Sequence, residues 1–94
     1  MAFVYILYSQ KINRYYVGSC INLSERLMEH RTGKYEKSYT TKPNDWQLFY
    51  FIPDLDYKQA RLIENHLKKM KSKKYIENLS KYQEISLKLI QLYS

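Results

Sequence analysis

Hydrophobic residues in the first half of the chain fall into three short runs separated by polar breaks. The runs cover residues 3–8, 15–18 and 46–52. They are rich in β-branched and aromatic side chains, which favour extended backbone. Pro53 follows the third run and is predicted to end it, because proline has no N–H to donate within a sheet. The pattern therefore predicts three strands.

The first helix signal follows the second run. Asn22, with Glu25 three residues later, resembles a capping box, in which each side chain bonds the backbone N–H of the other residue. Gly33 is a suitable C-terminal stop, so a helix is predicted from residue 23 to about residue 30. Residues 34–45 are polar and end in a Pro-Asn-Asp turn signal, which predicts a loop.

The second half of the chain has mainly helical spacing. Asp56 followed by Gln59 is another capping box. A further helix is predicted over about residues 73–82, whereas residues 84–94 fit both an alternating strand and a helical face, so their state stays open. The main helix is predicted over about residues 56–70, because apolar residues recur there at intervals of three and four: Ala60, Ile63, Leu67 and Met70.

Length and composition restrict the kind of protein. The 94 residues support one modest core, and 16 Lys and Arg against 9 Asp and Glu give a net charge of +7. A single cysteine and two histidines exclude an internal disulfide and a structural zinc site. No apolar run approaches the roughly 20 residues of a membrane span, and no signal-peptide pattern is present. A cytoplasmic protein with no membrane association is therefore expected.

Tyrosine is unusually frequent, with 11 residues. Together with the basic charge, this fits two interpretations. The rings can pack half inside the core beneath a solvated basic surface. Alternatively, lysines and arginines can pair with phosphates while rings stack on bases, as in proteins that bind nucleic acid. Composition by itself does not distinguish the two.

Five side chains are candidates for chemistry once the elements are placed. Tyr5 and Tyr16 fall on adjacent strands, where pairing can bring their rings to one face. Arg26 and His30 are four residues apart and share a helix face. Glu64 lies about 40° around its helix from the nearest residue of the apolar stripe. Each also has a structural interpretation: packing for the tyrosines, an exposed face for Arg26 and His30, and an ion pair with Lys68 for Glu64.

The order and spacing of these residues resemble the GIY-YIG nuclease family over residues 2 to about 80. Residues 3–5 read Phe-Val-Tyr and residues 16–18 read Tyr-Val-Gly, close variants of the two triplets that name the family. The resemblance implies an α+β fold, with a small three-stranded antiparallel sheet flanked by about three helices. It implies a nuclease-like domain of residues 1–82, followed by a C-terminal extension of residues 83–94.

The resemblance also implies a role for each of the five residues. Tyr5, Tyr16 or both would orient the attacking water, with Tyr5 favoured as general base. An ordinary phenol has a pKa of about 10, which Arg26 and a metal ion could lower. Arg26 would stabilise charge in the transition state, and His30 would hydrogen-bond a tyrosine or carry its proton. Glu64 would be the one protein ligand of a single Mg²⁺ or Mn²⁺ ion.

Further polar residues fit the resemblance less specifically. Asn78 is a candidate accessory residue of the metal site, and Ser19 and Lys42 are candidate phosphate contacts. His66 is interpreted as structural or solvated, and Cys20 as a small buried hydrophobe. A basic segment similar to that of short single-domain bacterial members is predicted to bind nucleic acid, or otherwise to be a solvated helix end: Lys68, Lys69, Lys71, Lys73 and Lys74.

The implied function is a divalent-metal-dependent DNA endonuclease in DNA repair, recombination or processing. Its substrate would be branched, flap or double-stranded DNA, and a protein partner that supplies specificity is also expected. The alternative is a GIY-YIG-fold protein that binds nucleic acid with weak cleavage or none. If the five residues form a site, they should line one concave, basic surface.

Overall fold

A three-stranded antiparallel sheet is the centre of the fold, as predicted for an α+β protein. The computed structural model describes residues 1–32 and 45–94. The predicted helix end at Gly33, the predicted loop over residues 34–44 and Lys42 lie outside the described residues. The elements of the described part are β1 (Ala2–Ser9), β2 (Arg14–Cys20), α1 (Leu23–Thr32), β3 (Gln47–Leu55), α2 (Tyr57–Met70), α3 (Lys73–Lys81) and α4 (Gln83–Leu92).

The register of the β1–β2 hairpin decides which tyrosines share a face. β1 lies between β2 and β3 and pairs antiparallel with both. Tyr5 stands opposite Gly18, and Leu7 stands opposite Tyr16. Residues directly opposite each other share a face of the sheet, and so do residues two apart in one strand. Tyr5 and Tyr16 therefore project from the same face, as a joint role requires.

The third strand is longer than the sequence predicts. β3 continues through Pro53 to Leu55, which pairs with Ala2. The register shifts between Ala2 and Val4, and Asp54 has a positive φ of 62° in this irregular stretch. Pro53 is exposed on an edge strand, where its missing N–H interrupts no central ladder. The prediction that Pro53 ends the strand is wrong, because pairing with β1 extends the strand beyond it.

Local capping explains where two of the helices begin. Asp56 and Gln59 form the predicted capping box at the start of α2, and the Gln59 N–H donates to Asp56 Oδ1 at 2.7 Å. At the start of α1, the Glu25 N–H donates to Asn22 Oδ1 at 3.0 Å. α2 ends at Met70, and the C-cap residue Lys71 has a left-handed φ of 48° where the chain turns into α3.

The last segment is a helix, which decides the state that the sequence pattern left open. Ser86 and Leu89 of α4 are buried, and Leu89 belongs to the same apolar core as residues of α2 and α3. The Gln59 Nε2 also donates to the Ile90 carbonyl oxygen at 3.0 Å. A helix brings residues three apart to one side, whereas a strand would place them on opposite faces. The division into a domain of residues 1–82 and an extension stays a prediction.

Apolar side chains pack on both faces of the sheet. The larger core joins one face to α2, α3 and α4. On the other face, α1 packs against a smaller cluster of Tyr5, Leu7, Cys20 and Trp46. Cys20 is 2% exposed, which confirms its predicted burial. Within residues 1–32 and 45–94, no helix has the length and apolar character needed to span a membrane.

Gly18 leaves room for the Tyr5 ring. A Cβ at residue 18 would lie 2.5 Å from the Tyr5 Oη and 2.6 Å from its Cζ, well inside van der Waals contact. Tyr5 is 1% exposed, so its ring has little space into which it could move. We expect Gly18→Ala to lower the free energy of unfolding by about 2 kcal/mol, as overpacking of a core does. Urea unfolding followed by circular dichroism measures this change.

A double-mutant cycle tests whether the Tyr5 ring causes that cost. Leucine at residue 5 does not reach the space where the phenol lies, so Gly18→Ala should cost much less in a Tyr5→Leu background. An equal loss of stability in both backgrounds would contradict the close approach of the ring to Gly18.

Candidate active site

Three ring side chains meet on the α1 face of the sheet. Tyr5 Oη lies 2.9 Å from His30 Nε2 in a buried hydrogen bond that joins β1 to α1. The ring centroids of Tyr5 and Tyr16 are 6.3 Å apart, and those of Tyr16 and His30 are 5.1 Å apart. Tyr5 and His30 are 1% and 3% exposed, whereas Tyr16 is partly exposed. Tyr16 is therefore the member of this trio that solvent or a ligand can reach.

Burial favours the neutral form of both Tyr5 and His30. Burial raises the pKa of Tyr5, and the nearby Tyr16 adds to the increase. Arg26 acts in the opposite direction through its charge and a hydrogen bond to the phenol, but burial is the larger effect. Burial, followed by the charge of Arg26, lowers the pKa of His30. The lowered pKa expected for Tyr5 is not found, because its depth in the fold outweighs one neighbouring cation.

Arg26 lies one helical turn before His30 on α1. Its Nε is 3.2 Å from Glu29 Oε1, and its side chain is 35% exposed. A guanidinium can bind two phosphate oxygens in a fork, so this partly exposed side chain is suited to an anion. Arg26 lines a concave surface of about 420 Å³, here named the Arg26 hollow, together with Ser19, Asn22, Glu25, Glu29 and Tyr57.

Glu64 extends from α2 to the edge strand β2 and is held at both carboxylate oxygens. The Ser19 hydroxyl donates to Oε1 at 2.5 Å, and the Lys68 ammonium donates to Oε2 at 2.6 Å. The Glu64 side chain is 13% exposed, in agreement with its predicted position at the border of the apolar stripe. The structural interpretation of Glu64 as the partner of Lys68 is therefore correct, and it leaves a chemical role open.

Ser19 has a partner that the sequence does not reveal. Gly18 faces Tyr5 on the α1 side of the sheet, so Ser19, the next residue of β2, faces the opposite side. α2 covers that side and brings Glu64 to the Ser19 Oγ. The alternation along β2 is visible in the sequence, but the identity of the helix that covers Ser19 depends on tertiary packing.

The surroundings of Glu64 fit a hard divalent cation that keeps most of its water ligands. Within the described part of the chain, no three His, Cys, Asp or Glu side chains lie close enough together to enclose a metal. Mg²⁺ and similar ions are often held by one or two carboxylates, with water and substrate phosphates completing the shell. Glu64, with the Ser19 hydroxyl beside it, is the group that would hold such an ion.

A basic groove of about 440 Å³ lies between β2 and the α2–α3 junction. Tyr16 lines it, and the Lys68 Nζ is 5.9 Å from the centre of the Tyr16 ring. Lys73 Nζ also donates to the Asn13 carbonyl oxygen at 2.7 Å, which joins α3 to the β1–β2 turn. The basic side chains that line the groove are Arg14, Lys68, Lys71 and Lys73.

The groove contains part of the predicted lysine cluster and one additional cation. Lys69 and Lys74 are exposed and are not among the residues that line the groove. Arg14 lines the groove but is not part of the predicted set. Arg14 lies far from the lysines in sequence. The sequence marks it only as a basic residue shortly before the Tyr-Val-Gly triplet of residues 16–18, which does not indicate that it would join the lysines. The pairing of β2 with β1 and the packing of α2 bring these distant cations together.

The five residues selected from the sequence do not line a single concave surface. Tyr16 lines the basic groove, whereas Arg26 lines the Arg26 hollow. Glu64 joins the two, because its partner Lys68 lines the groove and its partner Ser19 lines the hollow. Tyr5 and His30 are buried beside Tyr16. The expected single surface lined by all five residues is therefore not found, and Glu64 with its two partners connects the groove to the hollow.

Asn78 and His66 are two further polar residues considered from the sequence. Among the described residues, no hydrogen bond joins the Asn78 side chain to Glu64, and the Asn78 carbonyl oxygen accepts from the Tyr82 N–H. The role of Asn78 in the site stays a prediction. His66 Nδ1 lies 3.0 Å from Tyr93 Oη, in a contact that joins α2 to the chain after α4. His66 therefore has a structural contact, as predicted.

A comparison with known families covers the segment that carries these groups. The family model of the GIY-YIG catalytic domain matches residues 1–79 of the 94-residue chain. No curated protein and no solved structure matches the chain significantly. The family match extends from β1 into α3 and so includes all the residues that line the groove and the hollow. The chain therefore belongs to the GIY-YIG nuclease family.

Proposed function

We propose that this protein is a divalent-metal-dependent endonuclease that hydrolyses phosphodiester bonds in DNA. The observation that carries the proposal is the position of the Glu64 carboxylate, which lies between Lys68 of the basic groove and Ser19 of the Arg26 hollow. A nucleic-acid backbone in the groove would pair with its cations and bring one phosphate to Glu64. The same phosphate would then lie between Tyr16 and Arg26.

Tyr16 is the proposed contact for the attacking water. It is partly exposed and lines the groove, whereas Tyr5 is buried and burial raises its pKa. A phenol oxygen that accepts a hydrogen bond from water can orient the water towards phosphorus and receive its proton. Tyr5 and His30 would position Tyr16, because a hydrogen bond joins these two buried rings and Tyr16 packs against both of them.

Arg26 is the proposed source of countercharge. A phosphodiester gains negative charge on its oxygens in the transition state, and a pre-positioned cation stabilises this charge more than it stabilises the ground state. The contact between Arg26 and Glu29 holds the guanidinium in the hollow before substrate arrives.

Glu64 is the proposed protein ligand of one Mg²⁺ or Mn²⁺ ion. When bound, the ion would supply charge stabilisation at the phosphate and polarise its oxygens. The part of the protein is to present the carboxylate in a fixed orientation. Ser19 does this by donating to Oε1, and the apolar stripe of α2 anchors the Glu64 backbone.

DNA is the proposed substrate, in branched, flap or double-stranded form. The net charge of +7 and the cations of the groove suit a phosphate backbone, and contacts to phosphate carry no sequence information. Selection of the target would then depend on the shape of the DNA or on a protein partner. An activity of this kind would serve DNA repair, recombination or processing.

Cleavage assays test the proposal. Plasmid, flap and branched DNA are incubated with the protein in Mg²⁺, in Mn²⁺ and in EDTA. We expect cleavage that requires the metal and is lost in Glu64→Gln. Cleavage at the same rate by the wild-type and Glu64→Gln preparations would indicate a contaminating nuclease and remove the support for the proposal. Binding of DNA by the wild type without cleavage would overturn it in favour of a GIY-YIG-fold binding protein.

The groove predicts which cations contribute to DNA affinity. Arg14→Gln with Lys71→Gln removes two charges that line the groove. We expect this double variant to lower the salt dependence of binding by about two in the slope of log K against log salt, since each phosphate contact contributes about one. Fluorescence anisotropy with duplex DNA in EDTA, at several salt concentrations, measures the slope.

Lys69→Gln with Lys74→Gln is the matched control for the groove variant. It removes the same number of charges from exposed positions that do not line the groove. The control should lower the slope much less. Equal losses in the two double variants would mean that overall charge, rather than the groove, binds the DNA.

A further inference from the structure

The Lys68 ammonium is paired with one of the two carboxylate oxygens of Glu64. Lys68 Nζ lies 2.6 Å from Glu64 Oε2, while Ser19 holds the other oxygen. The Lys68 side chain is 49% exposed and lines the basic groove. Its Nζ is also 5.9 Å from the centre of the Tyr16 ring. Lys68 thus lies where the carboxylate, the partly exposed Tyr16 and the groove meet.

Two features make this ion pair easy to exchange. An ion pair with a half-exposed partner is weak, because water competes for the ammonium and the long side chain loses freedom when it is held. Lysine also carries a compact charge on a flexible four-carbon stem, so a small rotation can move the ammonium from Glu64 into the groove. A phosphate in the groove would be an equally good partner for it. A phosphate in the groove therefore competes with Glu64 for the charge of Lys68 and weakens its hold on the carboxylate.

We infer that Lys68 is a displaceable cation that couples nucleic-acid binding to metal binding at Glu64. This inference rests on the proposed function. Without nucleic acid, Lys68 competes with the metal ion for Glu64 Oε2. When a phosphate enters the groove, Lys68 pairs with it and leaves the carboxylate oxygen to the ion. Metal and nucleic acid consequently raise each other's affinity, and by linkage the two factors are equal.

The coupling has a consequence for the free protein. A single carboxylate that is already paired with an ammonium holds a divalent ion weakly, so the ion is bound mainly after nucleic acid has arrived. Ser19 does not compete in the same way, because its hydroxyl is neutral and approaches the other oxygen. The competition is therefore specific to the charge of Lys68, and removal of that charge tests it.

Mn²⁺ binding to the free protein, followed by electron paramagnetic resonance, is the first measurement. Lys68→Met keeps most of the aliphatic stem and removes the charge. We expect it to lower the dissociation constant for Mn²⁺ by about fivefold, the change that corresponds to a weak competing ion pair. Lys69→Met, on the next residue of α2, has the same change in net charge and should have a much smaller effect. Equal effects of the two variants would overturn the inference.

The second measurement adds a short DNA duplex with phosphorothioate linkages, which resist cleavage. The duplex should lower the dissociation constant for Mn²⁺ in both proteins. The ratio of the constants without and with the duplex should be about five times larger in the wild type than in Lys68→Met. Equal factors would overturn the inference.

Glu64→Gln separates the two proposals. Unchanged Mn²⁺ binding in that variant would refute the metal site itself, whereas Mn²⁺ binding that needs Glu64 but is insensitive to Lys68 refutes only the coupling.

Discussion

Replacement of Glu64 by glutamine is expected to slow metal-dependent DNA cleavage by at least about a hundredfold. The amide has the shape of the carboxylate, and its oxygen can still accept the hydrogen bond from Ser19, so the fold should be preserved. It carries no negative charge, and therefore attracts a divalent cation only weakly. The rate of single-turnover cleavage in Mg²⁺ measures the effect, with circular dichroism spectra to compare the folding of the two proteins.

Glu84→Gln is the matched control for this substitution. Glu84 is exposed in the first turn of α4, and its replacement changes the net charge by the same amount. The control should cleave at close to the wild-type rate. In EDTA, Glu64→Gln should bind DNA at least as tightly as the wild type, since a negative charge beside the phosphate has been removed. If Glu64→Gln cleaves near the wild-type rate, Glu64 is not the metal ligand of the observed activity, and the proposal loses its support.

Removal of the Tyr16 hydroxyl is expected to have the second large effect. Tyr16→Phe should lower the cleavage rate by about a hundredfold, the usual contribution of a group that orients water and accepts its proton. The ring remains, so DNA affinity and the free energy of unfolding should change little. Single-turnover rates, anisotropy in EDTA and urea unfolding measure the three quantities.

Tyr5→Phe is the comparison that separates the two tyrosines. It removes a buried hydrogen bond to His30 Nε2, which should lower the free energy of unfolding by about 1–2 kcal/mol. Its effect on the cleavage rate should be smaller than that of Tyr16→Phe, because Tyr5 is buried away from the groove. A larger rate loss in Tyr5→Phe, measured where both variants are fully folded, would favour Tyr5 as the general base instead.

Elements with signals close together in the sequence were predictable. The capping box of Asp56 and Gln59 and the apolar stripe after it involve residues within a few turns of one another, and α2 follows the prediction closely. Pro53 failed as a strand end because the pairing partner, β1, lies some fifty residues earlier in the chain. Residues 84–94 were ambiguous because the spacing of their apolar residues fits both a strand and a helix. Leu89 packs into the same core as α2 and α3, and this packing favours the helix.

The candidate site, like the fold, was predictable in part from the sequence. The types of side chain and their order in the chain, from Tyr5 to Glu64, identify the family without any coordinates. The partners of these residues are less predictable. Ser19 and Arg14 join the site only because an edge strand pairs with β1 and is covered by α2, contacts that no local pattern encodes.

The sequence by itself determined that this chain is a small basic α+β protein of the GIY-YIG nuclease family and which side chains are available for chemistry. Only the tertiary structure decided that Tyr5 is buried against His30, that Tyr16 lines the groove, and that Ser19 donates to Glu64. The physical reason is that burial, pKa and ion pairing depend on what packs around a side chain. Those neighbours come from distant parts of the chain, whereas residue type and spacing are local.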